Sequence, residues 1–258
     1  MNKPFIEGFK LVIIVAITQF LTLVITGIIE VTTNILNNSF ISYSVKNLLP
    51  IIVVYYYFIK NNNFKYKGYV NCITKKTYFI LSIIIIGLFL LNSLVLNFTK
   101  VLIINNLPLI GNYLSNENVN VSYNIGILIG QVIIFPFFEE IVYRGILLKE
   151  LTKKYKPWIA LIISSLLFSF SHLSSLMIPY TFVLGLLLGW IYIKTKSLLA
   201  IIFSHLFYNI IGQVAINYSP LIFNLSTRPN FLSRKIVLIG FSLLFIGIIF
   251  LKKSFNRI

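Results

Sequence analysis

Pro136-Phe137-Phe138-Glu139-Glu140-Ile141-Val142-Tyr143-Arg144-Gly145 sits inside a run, residues 123 to 148, that is otherwise almost wholly apolar and long enough to cross a bilayer. Ionisable groups in hydrocarbon are costly unless they are paired or face a watered cavity, so a segment that keeps two acids and an arginine there is expected to use them. Residues four apart share a helix face, so Glu140 and Arg144 are expected to pair and largely neutralise each other. Glu139 is turned about 100° away, and the positions one turn from it are Phe135 and Tyr143, neither of them basic. Glu139 is therefore the acid expected to act. With a rise of 1.5 Å per residue it lies roughly 15 Å from the end of the span marked by Lys149, near the middle of the hydrocarbon. Pro136 removes a backbone hydrogen bond just upstream and predicts a bend at the acids. The plainer alternative for Glu140 and Arg144 is a lock between helices.

Working outward, the same kind of signal recurs twice. The chain has two histidines, His172 and His205, and both lie in apolar runs rather than loops. Phe168-Ser169-Phe170-Ser171-His172 puts Phe168 one turn before His172 on the same face, where an aromatic ring would wall the imidazole from lipid. Ser204-His205-Leu206-Phe207-Tyr208-Asn209 puts His205 and Asn209 on one face, two groups able to donate N–H toward a single point. A buried histidine that only packs a helix is the bland alternative. Two histidines and a glutamate are also a common zinc set, but no His-Glu-x-x-His helix is present and Arg144 beside the acids would repel a cation. The reading from the residues is a site without metal or other cofactor, in which Glu139 activates water.

The composition fits this picture. Of 258 residues, 58% are hydrophobic and 11% charged, against roughly 25% charged in an average soluble domain. The chain therefore reads as an integral membrane protein with the lipid bilayer as its surroundings. Its net charge of +16 is scattered in short clusters between apolar runs, with no basic domain to present to nucleic acid, which excludes that partner. Cys72 is the single cysteine, so neither an internal disulfide nor a cysteine-rich metal site is available. The first apolar run follows Lys3 and Lys10 but lacks a small-x-small cleavage pattern, and it is expected to remain as an anchor.

Eight candidate spans follow from the apolar runs, at about residues 9 to 29, 44 to 59, 77 to 98, 123 to 148, 157 to 176, 178 to 193, 198 to 216 and 235 to 251. The break between the fifth and sixth rests on Ser174-Ser175 and Pro179. Alternating the loops gives an independent check. One side carries 16 of the 22 basic residues and the other carries five, Lys46, Lys100, Arg228, Arg234 and Lys235, with Arg144 inside a span. The basic side marks the cytoplasm, so both termini are expected there. The fold class is all-α: a polytopic helix bundle of about eight transmembrane helices, forming one membrane domain over residues 1–258 with its motif-bearing core at 123–216. Gly126/Gly130 and Gly185/Gly189, each four apart, are candidate points of close helix approach.

Taken together, Glu-Glu-x-x-x-Arg at 139 to 144, Phe-x-x-x-His at 168 to 172 and His-x-x-x-Asn at 205 to 209, in that order on three helices, resemble the CAAX-protease and bacteriocin-processing (CPBP, or Abi) family of intramembrane endopeptidases. The resemblance covers residues 139 to 209 and matches at each defining position. It implies peptide-bond hydrolysis within the membrane, acting on a membrane-associated protein or peptide in CAAX-type, bacteriocin or signal-peptide processing. It implies that Glu139 acts with His172 to activate water, that His205 and Asn209 hold the tetrahedral oxyanion, and that Glu140, Arg144 and Phe168 support the site. The family has also been described as metalloprotease, which keeps zinc as an alternative. The richness in isoleucine, asparagine and lysine, with no aspartate, suits a bacterial cytoplasmic membrane. Two other readings compete: a non-catalytic bacteriocin-immunity or scaffold protein using the same bundle, and a proton-coupled transporter, for which no paired repeat is visible.

Overall fold

A computed structural model describes residues 73–107, 128–172, 176–218 and 229–255, together with part of the stretch 6–28. Its regular elements are helical: α1 (Lys75–Asn106), a π-helical turn (Gly130–Ile134), α2 (Phe135–Glu140), a second π-helical stretch (Ile141–Leu148), α3 (Lys149–Thr152), α4 (Pro157–Phe170), α5 (Met177–Thr195), α6 (Leu198–Tyr218) and α7 (Arg234–Phe255). The residues described between 6 and 28 are also helical, in keeping with the expected first span. Among the described residues, four helices, α1, α5, α6 and α7, are long and apolar enough to cross a membrane, and α4 is a shorter apolar helix. The regular elements there are all helical, and their length and apolar composition are those of a membrane protein. The expected span at 44 to 59, the start of the fourth span at 123 to 127, Cys72 and Gly126 lie outside the described residues.

The chain forms two compact units, each drawn from two separate stretches: residues 1–69 with 122–173, and residues 70–121 with 174–258. In the first, the irregular helix 130–152 packs against α4. Its backbone departs from the single α-helix that a 3.6-residue period predicts. Pro136 stands in the first turn of α2 and has no N–H to give the preceding turn, and π turns occupy both sides of α2. Wide π turns leave backbone groups poorly paired, and the Ser164 hydroxyl on α4 donates to the Tyr143 carbonyl at 2.9 Å in a buried setting. That bond ties α4 to the stretch carrying the acids.

The fifth span ends sooner than residue 176. α4 stops at Phe170, and α5 begins at Met177, so the break expected near Ser174-Ser175 and Pro179 is present. α4 has 14 residues and a rise of about 21 Å, short of a full hydrocarbon crossing. His172 therefore lies just past the helix end rather than within it.

The second unit is built on α1, which packs against α5, α6 and α7. α1 and α7 run antiparallel: Thr77 faces Ser254, Ile84 meets Gly247, and Gly87 meets Gly240 and Leu244. A Cβ at Gly87 would stand 2.6 Å from the Leu244 backbone nitrogen and 2.8 Å from the Gly240 carbonyl oxygen, so only glycine permits this approach. The antiparallel pairing also brings Lys75-Lys76 and Lys252-Lys253 to the same end, as the charge pattern requires. Between α5 and α6 the chain reverses within two residues. Lys196 takes the left-handed conformation (φ 54°) that closes α5, and the Ser197 hydroxyl accepts from the Ala200 N–H to cap α6. Gly130, Gly185 and Gly189 are buried, in keeping with their expected packing role.

Candidate active site

In the first unit the sequence-predicted residues gather around Phe168. Arg144 donates to Glu140 at 2.8 Å, and neither side chain is more than 1% exposed. The pairing survives the π-helical backbone because residues four apart remain neighbours on the wider turn. The Arg144 guanidinium also sits 4.3 Å from the centre of the Phe168 ring, so the cation is held by a carboxylate on one side and an aromatic face on another. Glu139 is close enough for its charge to act on both Arg144 and Tyr143. The arginine thus lies in the field of both acids, a coupling that helix-face spacing assigned to Glu140 alone. Glu139 itself is half-buried, whereas Glu140 is fully buried. That difference suits Glu139 for contact with water or substrate and Glu140 for support.

Phe168 is fully buried and its ring meets the His172 ring edge-on, with centroids 5.0 Å apart at 79°. This is the aromatic wall expected from the spacing. His172 Nδ1 lies 3.0 Å from the Phe168 carbonyl oxygen. A carbonyl only accepts, so Nδ1 carries the hydrogen, and in the neutral ring the lone pair is left on Nε2. At the end of α4 the Phe168 carbonyl accepts from the Ser171 hydroxyl at 2.7 Å as well as from the imidazole, and this acceptor selects the tautomer. An Nε2 lone pair is what proton abstraction from water requires.

Tyr143 was not singled out by sequence. It is 2% exposed, meets Phe168 edge-on at 5.3 Å, and its side chain lies near Ser171 as well as Glu139. Its place one turn after Glu139 was the available signal, passed over because tyrosine in an apolar run reads as packing.

In the second unit, α6 carries His205, which is 3% exposed, and the half-buried Asn209. Around them α6 bonds to itself and to α1. Ser204 donates back to the Ala200 carbonyl at 2.8 Å, and the Tyr208 hydroxyl receives the Asn92 side-chain amide of α1 at 2.9 Å. Phe89 meets the Tyr208 ring at 5.6 Å and 71°. Asn92 and Tyr208 were likewise absent from the sequence reading. The signal for Asn92 was a carboxamide, one of two with Asn97, in the mostly apolar run 77 to 98.

Donor chemistry bears on the zinc alternative. The Glu140 carboxylate is already engaged by a buried guanidinium, and a divalent cation beside it would meet that fixed positive charge.

Comparison with known proteins finds a family match. Residues 121–211 match the family model described as type II CAAX prenyl endopeptidase Rce1-like. The matched segment holds the Glu-Glu-x-x-x-Arg, Phe-x-x-x-His and His-x-x-x-Asn motifs, so the resemblance to CAAX proteases read from those residues is borne out. No curated protein and no solved structure is matched by the chain.

Proposed function

We propose that this protein is an intramembrane endopeptidase that hydrolyses a peptide bond of a membrane-associated protein or peptide, of CAAX type or from bacteriocin or signal-peptide processing. It acts as a single membrane domain of the bacterial cytoplasmic membrane, with both termini in the cytoplasm. Glu139 and His172 take the proton from an attacking water, the half-buried carboxylate orienting it and Nε2 of the imidazole receiving charge. His205 and Asn209 donate to the oxygen on which negative charge develops as the scissile carbonyl becomes tetrahedral. Collapse of that intermediate breaks the C–N bond, and the proton held by the site passes to the leaving amine. Glu140, Arg144 and Phe168 set the positions of Glu139 and His172. No metal is needed for any of these steps.

The observation that carries this reading is the continuous set of contacts from Glu140 through Arg144 and Phe168 to His172, within the segment that resembles prenyl endopeptidases. A lock between helices needs the ion pair; it does not need an imidazole whose tautomer is fixed at the end of the same cluster. The test is to reconstitute the purified chain in liposomes with a farnesylated Cys-aliphatic-aliphatic-X peptide and identify the products by mass spectrometry. Cleavage after the prenylated cysteine that persists in chelator and stops in Glu139→Gln supports the reading. Cleavage abolished by chelator and restored by zinc overturns the metal-free part. Immunity to a bacteriocin that persists in Glu139→Gln cells, with no cleavage, favours the scaffold role instead.

A further inference from the structure

We propose that Asn92, upstream of the segment that resembles prenyl endopeptidases, is a positioning residue that fixes the rotation of α6 and so aims His205 and Asn209. The inference deepens the endopeptidase reading and rests on it for its catalytic consequence.

Asn92 is 3% exposed in the middle of α1, where a carboxamide is an expensive choice. Its side-chain nitrogen donates twice, to the Tyr208 hydroxyl at 2.9 Å and to the Tyr180 carbonyl at 3.1 Å. Because the Tyr180 carbonyl only accepts, the nitrogen and not the oxygen must face it, and this fixes the orientation of the amide. The oxygen, Oδ1, is buried and meets no donor among the described residues. A group kept despite an unmet acceptor is kept for its two donor contacts. Those contacts join three helices: α1 through Asn92, α5 through Tyr180 and α6 through Tyr208.

Tyr208 follows His205 by three residues and precedes Asn209 by one. At 3.6 residues per turn, Tyr208 points about 60° from His205 and about 100° from Asn209, while those two lie within about 40° of each other. Pinning Tyr208 from the side therefore sets the direction of both without touching either. With side-chain tips about 6 Å from the axis, a rotation of about 15° would move them about 1.5 Å. Displacements near 1 Å are enough to cost on the order of a hundredfold in rate. Phe89 and Leu188 pack in the same cluster as Tyr208, but apolar contacts allow sliding, whereas the hydrogen bond fixes one rotation.

The chain's two histidines provide a direct readout. The full chain, purified without a histidine tag and labelled with ¹³C-histidine, should give two ring signals, assigned by loss of one in His172→Gln. Asn92→Leu and Tyr208→Phe are each expected to shift the His205 signal and leave His172 within its linewidth. The double variant should shift it no further than the larger single change. In the reconstituted cleavage assay, kcat should fall at least tenfold with KM changed less than twofold. An unmoved His205 signal in folded Tyr208→Phe overturns the proposal, as does a His172 signal that moves equally or a double variant that is additive. Tyr208→Phe decides the matter should Asn92→Leu not fold. If His205 responds but the wild type cleaves no membrane peptide, the protease reading fails and the positioning role stands.

Discussion

Arg144 does two things at once: it neutralises Glu140 and lies over Phe168, which in turn walls His172. Removing one member of a buried pair leaves an uncompensated charge, whereas replacing both with apolar groups is often tolerated. Arg144→Met is therefore expected to destabilise the protein by about 3–5 kcal/mol, seen as a lower melting temperature in detergent. Glu140→Leu combined with Arg144→Met should recover most of that stability and remain inactive, because the support for Glu139 and His172 is gone. Recovery of activity in the double variant would reduce the pair to a helix lock. Phe168→Leu separates packing from site support. It keeps most of the apolar volume but removes the three ring contacts, to Arg144, His172 and Tyr143, so activity should fall more than tenfold while the melting temperature moves by only a few degrees. The pair was legible from its spacing of four, and Phe168 beside His172 from the same arithmetic. The stacking of Arg144 on Phe168 was not, because it joins separate helices, and no local period records which side chain crosses between them.

At the scale of elements, the apolar runs located the described spans to within a few residues except at two ends: α1 continues to Asn106, past the expected end at 98 and through Lys100, and α4 stops at Phe170, where serines and His172 prolong the hydrophobic pattern past the true terminus. The π-helical backbone around α2 was foreshadowed only by the bend at Pro136, since side-chain periodicity reports the direction of a helix better than the width of its turns. Glycines show the same limit. The spaced pairs Gly126/Gly130 and Gly185/Gly189 drew attention by their pattern, while the tight approach between α1 and α7 pairs Gly87 with Gly240, more than a hundred residues away. Two variants test that contact. Gly87→Ala, whose methyl would meet backbone atoms, is expected to cost about 1–3 kcal/mol. Gly212→Ala, whose nearest neighbour is a Phe89 ring carbon at an ordinary 3.7 Å, should be neutral or stabilising through its helix propensity. Equal losses in both would mean that the close approach is not what Gly87 provides.

For the whole molecule, the sixteen basic residues assigned to one side are expected to set the orientation, and the antiparallel α1 and α7 bring two of those clusters to a common end. A fluorescent-protein fusion at the C-terminus is expected to light up and an alkaline-phosphatase fusion there to stay inactive; the reverse pattern would invert the topology and place Glu139 nearer the outer face. The membrane class was legible because hydrophobicity is a property of the composition, and the chemistry was legible because five ionisable side chains stand out against hydrocarbon. What the pattern could not supply was the support around them: Tyr143, Ser164, Asn92 and Tyr208 are polar groups whose roles exist only once helices meet. The central claim is that Glu139 and His172 together activate the water that cuts a membrane peptide. Single-turnover cleavage by the reconstituted chain, compared with Glu139→Ala and His172→Ala, measures it most directly. The account predicts a loss of at least a thousandfold in each variant with both still folded, and turnover undiminished in either one would contradict it.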